Sequence, residues 1–137
     1  MKLSSIQVDS ALAEQGDWIE NIPKLQGVRI KARGTNNTDY RILESKLVRE
    51  IPETERAEGV GPVDMDRIAS TLLLETVVLD VEGLTEEDGI TPIKYTKELG
   101  RELLFNPDFK AFHEACAWAG AAVARRKKAA SAGETKN

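Results

Sequence analysis

A chain of 137 residues, 41% apolar and 31% charged, has the size and balance of one globular domain and needs no metal or disulfide staple to bury a core. Its formal charge of −4 has the wrong sign for a dedicated nucleic-acid binder, which needs clustered positive charge. No stretch approaches the ~20 apolar residues of a membrane-spanning helix, so neither nucleic acid nor membrane is expected as a partner.

Aromatic residues make up only 5%, so the core must rest on Leu, Ile, Val and Ala. Residues 1–15 read as a partly ordered segment in which Asp9 can cap a short turn through Ala11, Leu12 and Ala13. Residues 16–128 read as a single globular domain. Trp18–Ile22 and Val28–Arg33 both tend to alternate, and Pro23–Gly27 between them carries turn residues at both ends. That pattern predicts a β-hairpin with a five-residue loop, with Val28, Ile30 and Ala32 facing the core and Arg29, Lys31 and Arg33 facing water. A hairpin alone is marginal, so helices must cover it.

Thr38 is placed to cap a helix from about Asp39 to Ile51, with Tyr40, Leu43, Leu47 and Ile51 on one stripe and Pro52 ending it. The acidic stretch Glu53–Pro62 reads as a loop. Asp64 then caps a second helix whose buried face is Met65, Ile68, Ala69, Leu72, Leu73 and Thr76. The 3.6-residue period carries this helix to Val81, although Thr76-Val77-Val78-Leu79 has strand propensity, and Gly83 stops it. Thr96 caps a third helix over Lys97–Phe105, with Leu99, Leu103 and Leu104 inward and Gly100 inside it at a cost of about 1 kcal/mol against Ala. Asn106-Pro107-Asp108 opens a fourth helix running to about Lys128, with Phe109, Phe112, Cys116, Ala119 and Val123 inward and Arg125–Lys128 in its last turns. The fold class is therefore α+β and predominantly helical, an N-terminal β-hairpin packed on about four helices. The last residues, 129–137 (AASAGETKN), are small and polar and read as a flexible tail.

Residues with chemical potential are few. His113 and Cys116 lie one helical turn apart, but a nucleophilic pair needs a third, orienting group and none is evident. One Cys and one His cannot make a zinc site. The acidic run Glu82, Glu86, Glu87, Asp88 lacks calcium-loop spacing, and Gly59 and Gly61 are not followed by the Lys-Ser/Thr of a phosphate loop. No catalytic, cofactor or metal site is expected, and the chain is read as a non-enzyme. Its lone cysteine fits a reducing compartment, and its first residues hold no signal-peptide run, so the chain is expected to be complete and cytosolic. The remaining features are Trp18, Trp118 and the small-residue face Ala115, Ala117, Ala119, Gly120, Ala121, Ala122, which packs either inside the domain or against a partner. Trp18, Tyr40, Trp118, Ala119, Ala122, Arg125 and Arg126 are the candidate partner-binding residues.

The order of the short motifs is informative. Gly16-Asp17-Trp18 is followed by Gly27-Val28-Arg29-Ile30-Lys31-Ala32-Arg33 and Asn36-Asn37-Thr38-Asp39-Tyr40-Arg41. Then come Val81-Glu82-Gly83-Leu84, Glu87-Asp88-Gly89, Ile93-Lys94-Tyr95-Thr96 and Asn106-Pro107-Asp108-Phe109. Over residues 16–123 this order resembles the tail assembly chaperones of long-tailed bacteriophages, encoded between the tail tube and tape measure genes; position 81 is Val where that family tends to carry an aromatic. The resemblance implies a protein of the host cytoplasm, absent from the mature virion. Such a protein binds the tape measure protein, keeps it soluble and helps recruit tail tube protein, with self-association a further expectation. A virion structural protein, such as a head–tail connector or minor tail component, is the alternative.

Overall fold

The alternation between Val28 and Arg33 places the central strand of a three-stranded antiparallel sheet in the computed structural model, which describes residues 1–128. The flexible tail expected over 129–137 lies outside the described residues. The strands are β1 (Asp17–Ile19), β2 (Arg29–Ala32) and β3 (Val78–Glu82), in the order β1-β2-β3. The register sets Ile19 opposite Ile30 and Ile30 opposite Val81, so these three share the buried face. Trp18, Lys31 and Asp80 share the outer one. A bulge at Lys31/Ala32 leaves Leu79 pointing outward.

The helices are α1 (Ser10–Gln15), α2 (Thr38–Arg49), α3 (Glu53–Arg56), α4 (Pro62–Leu72), α5 (Lys97–Phe105) and α6 (Lys110–Ala124). The chain is thus α+β and predominantly helical. Helix α6 covers the inner face of the sheet. Phe112, Cys116, Ala119 and Val123 meet Ile30 and Ala32 in the main core, as their spacing predicts. The small face is used internally here: Ala115, Ala119 and Gly120 are buried, and a Cβ at Gly120 would press on the side chains of Thr35 and Val77. A second cluster joins Leu47 and Ile51 to Ile68 and Leu72 of α4. Tyr40 packs against both clusters.

Several boundaries differ from the sequence reading. The expected helix to Val81 ends at Leu72; Leu73–Val77 form a single π-helical turn and the chain then extends into β3. The β-branched run Thr76-Val77-Val78 prefers extended backbone, and β2 offers it a hydrogen-bonding edge. The hairpin ladder closes at Ile19–Ile30, so the connection spans 20–28 instead of five residues. Asn21 and Lys24 adopt positive φ there so that Ile22 and Val28 can reach the core. The acidic stretch is not all loop, since α3 forms one turn in it and Arg56 Nε donates to the Ile51 carbonyl at 2.9 Å. Helix α4 starts at Pro62 with Gly61 before it, so Asp64 lies in the first turn and Met65 faces solvent. After Asn106 the chain makes a 3₁₀ turn, Pro107–Phe109, before α6; the tighter turn shifts the phase and leaves Phe109 exposed. The capping of α1 by Asp9 and of α5 by Thr96 stands as expected. Gly100 is required because the Tyr95 ring lies across it, a burial that pushes the Tyr95 phenol up to about 12.

The N-cap of α2 is Asn37, not Thr38, and its side chain is fully buried. Asn37 Oδ1 accepts from the Tyr40 amide at 2.7 Å. Its Nδ2 donates to the Gly34 and Thr76 carbonyls, both at 2.8 Å. Thr76 belongs to the π turn, so one carboxamide joins the start of α2 to the irregular entry of β3. Beside it, the Glu14 carboxylate accepts from the Thr38 amide at 2.9 Å and hydroxyl at 2.7 Å. Arg33 reaches Glu14 at 3.1 Å and Asp39 at 2.8 Å. Residues 125–128 lie beyond α6 instead of in its last turns, and Arg126 and Lys127 clasp the N-terminal segment. The Asp9 amide donates to the Arg126 carbonyl at 2.9 Å, Lys127 Nζ donates to the Ser5 carbonyl at 2.6 Å, and Arg126 pairs with Asp17 at 2.6 Å.

Two predictions follow the capping network. Asn37→Ala removes the side-chain partners of the Tyr40 amide and the buried Thr76 carbonyl, while the Gly34 carbonyl keeps the residue-37 amide at 3.0 Å, and should cost about 2–4 kcal/mol in urea unfolding. Asn37→Asp, which keeps the acceptor but loses both donors, should recover only part of this. The hydrogen bonds from Thr38, and secondarily the Arg33 charge, hold the Glu14 carboxyl below its ordinary 4.5. Its stabilising contribution is therefore complete above that value and disappears as pH falls through the lower folded pKa. Thermal unfolding of Glu14→Gln should be weaker than wild type at neutral pH and converge with it in acid.

Candidate partner-docking surfaces

Charged residues at every second position of β2 and β3, Arg29 and Lys31 opposite Glu82 and Asp80, keep the outer face of the sheet in water, and the indole of Trp18 on β1 stands beside them. Trp18 is half-buried, with the Arg29 guanidinium 4.2 Å from its ring centroid. Arg29 is itself held by Glu82 at 2.7 Å and lies 3.7 Å from Glu20. The Trp18 surface is thus a braced aromatic among charges.

A second surface is the groove between α4 and the α5–α6 corner. Leu104, Phe105 and Pro107 line it, together with Asp66, Lys110, His113 and Glu114. Phe105 and, on the same corner, Phe109 are large apolar side chains left in solvent. Sequence reasoning missed this groove. The helical period places Phe105 at a helix end and Phe109 on an inner stripe. Two aromatics flanking Asn-Pro, where a helix must stop and restart, were the available signal.

The third surface is the outer face of α6, where Trp118 is 39% exposed. Arg125 follows on the same side and is exposed, while Ala122 lies at the edge, partly buried against the core. The other sequence-selected residues lie elsewhere. Ala119 is fully buried and cannot touch a partner. Tyr40 is a half-buried packing residue, its phenol pKa raised by desolvation and then by Glu44. Arg126 is engaged in the terminal clasp with Asp17. Trp118 and Arg125 are brought onto one face, whereas Trp18 stands on the sheet.

The reactive residues are placed for packing. Ser70 Oγ donates to the Leu104 carbonyl at 2.9 Å, and His113 Nδ1 lies 3.3 Å from the same hydroxyl. With the serine proton committed to the carbonyl, the imidazole nitrogen is the donor. The trio ties α4, α5 and α6 together. Cys116 is fully buried and desolvation pushes its thiol pKa well up, which opposes thiolate formation. Among the described residues no group of His, Cys, Asp and Glu could hold a metal ion, and no helix is long and apolar enough to cross a membrane. Cys116 should react with iodoacetamide roughly a hundredfold or more slowly in the native protein than in urea. Rapid native labelling with unchanged circular dichroism would contradict that placement.

The profile of the YdaY prophage protein family matches residues 35–137, a segment that begins just after β2. No curated protein and no solved structure matches the chain.

Proposed function

The chain belongs to the YdaY prophage protein family and is phage-derived, and on that premise we propose that it is a tail assembly chaperone acting by protein binding without covalent chemistry. Its client is the tape measure protein, a long helical chain prone to aggregate before tail tube protein surrounds it. The observation that carries this reading is the groove between α4 and α6, with Phe105 and Phe109 exposed at its corner. An amphipathic helix is recognised by an apolar floor that takes its hydrophobic stripe and a charged rim that sets its direction. Leu104, Phe105 and Pro107 provide the first, Asp66, Lys110 and Glu114 the second. The order of motifs from Gly16 to Phe109, similar to that of tail assembly chaperones, supports the same reading.

Co-expression with the tape measure protein should yield a soluble complex. Phe105→Asp with Phe109→Asp should abolish it while circular dichroism stays unchanged, because neither side chain belongs to the buried core, the two being 42% and 47% exposed. Failure to co-purify, with client solubility unaltered, would refute the chaperone reading. Fixed copies of the protein in purified particles would favour a virion structural component instead.

A further inference from the structure

We propose that the outer face of α6 pairs antiparallel with α6 of a second copy, about a two-fold axis passing between Ala119 and Gly120. The inference does not require the chaperone reading, since it concerns a different occupant and a stripe that shares only Glu114 with the groove.

The solvent face of α6 and its C-cap carries Ala111, Glu114, Trp118, Ala121 and Arg125. Their spacing alternates three and four, the 3.5-residue repeat that keeps one stripe of a helix against a neighbouring helix. The residues of α6 that meet the core lie on the opposite side. What occupies this stripe is unusual for a solvated face: an indole at its centre, small residues beside it, and opposite charges toward its two ends.

That pattern is self-complementary in one orientation. Reversing a second α6 about the Ala119–Gly120 midpoint brings Glu114 opposite Arg125 and Trp118 opposite Ala121. Two-fold symmetry repeats each contact. The indole then meets a methyl group, which leaves room for its bulk, and both ends close with an ion pair. A parallel pairing would set Glu114 against Glu114, Arg125 against Arg125 and the two indoles against each other. The charges therefore select the antiparallel arrangement.

The side chains are free to do this. Trp118 is 39% exposed. The Glu114 side chain is half exposed and is met only at 3.8 Å by Lys110, while Arg125 makes no ion pair among the described residues. By contrast the neighbouring Arg126 and Lys127 are engaged in the terminal clasp. The fifteen residues of α6 span on the order of 22 Å. A contact of one helix per protomer falls short of the ~1,600 Å² of a standard stable interface, so the dimer is concentration-dependent.

Sedimentation equilibrium of the full chain, from micromolar to near-millimolar concentration, tests the proposal. Wild type should follow a monomer–dimer equilibrium. Glu114→Arg and Arg125→Glu should each raise the dissociation constant roughly tenfold or more, and the double exchange E114R/R125E should restore it, because each reversed charge again meets its opposite. Trp118→Ala should weaken dimerisation with unchanged circular dichroism. A wild-type monomer throughout the range, a single reversal without effect, or a double exchange no better than its parents would overturn the pairing. A folding defect cannot mimic the rescue.

Discussion

The arrangement turns on the carboxamide of Asn37. A π turn followed directly by a strand leaves the Thr76 carbonyl without a regular partner inside the protein, and the first turn of α2 leaves amides in the same condition. One buried side chain with an acceptor and two donors answers both, and takes the Gly34 carbonyl as well. Aspartate lacks the donors and serine has only one, so neither can replace it. Through this residue the tilt of α2, the entry into β3 and the exit from β2 become one mechanical unit. The second core cluster, between α2 and α4, depends on that alignment.

Around this joint the two ends of the described chain are tied together. Arg126 and Lys127 hold the segment before α1, and Glu14 of α1 returns to the start of α2. The polar contacts are modest individually because most are exposed. Their value lies in position: they close the N-terminal segment over the end of α6, where Ala13, Gly34 and Ala124 approach too closely for a side chain at position 34. The family match starts at residue 35, yet β1 and β2 and the cover provided by α1 come from residues before it.

The apolar groups left at the surface are ordered by the fold. Helix α6 buries one side so completely, down to Cys116, Ala119 and Val123 at no exposure, that Trp118 and its neighbours are forced outward. The 3₁₀ turn before α6 does the same to Phe109. Exposed apolar surfaces of this kind follow from helix phase and need no separate cavity.

Local sequence was enough for the features set by short-range physics. These are the alternation of Val28, Ile30 and Ala32, the stripe Leu43, Leu47, Ile51, the caps Asp9 and Thr96, and the inner face Phe112, Cys116, Ala119, Val123. Each reflects a period or a cap written within one turn or one strand. The phage origin, too, was legible in motif order, as the match to a prophage protein family shows. The fate of Thr76–Val81 was not, because helix and strand were nearly balanced locally and the free edge of β2, far away in sequence, decided between them. Nor was the role of Asn37, whose partner Thr76 lies 39 residues on, or the outward turn of Phe105 and Phe109. Periodicity tells which side of an element is apolar; only the assembled chain determines which backbone groups lack partners and which apolar groups find no room inside.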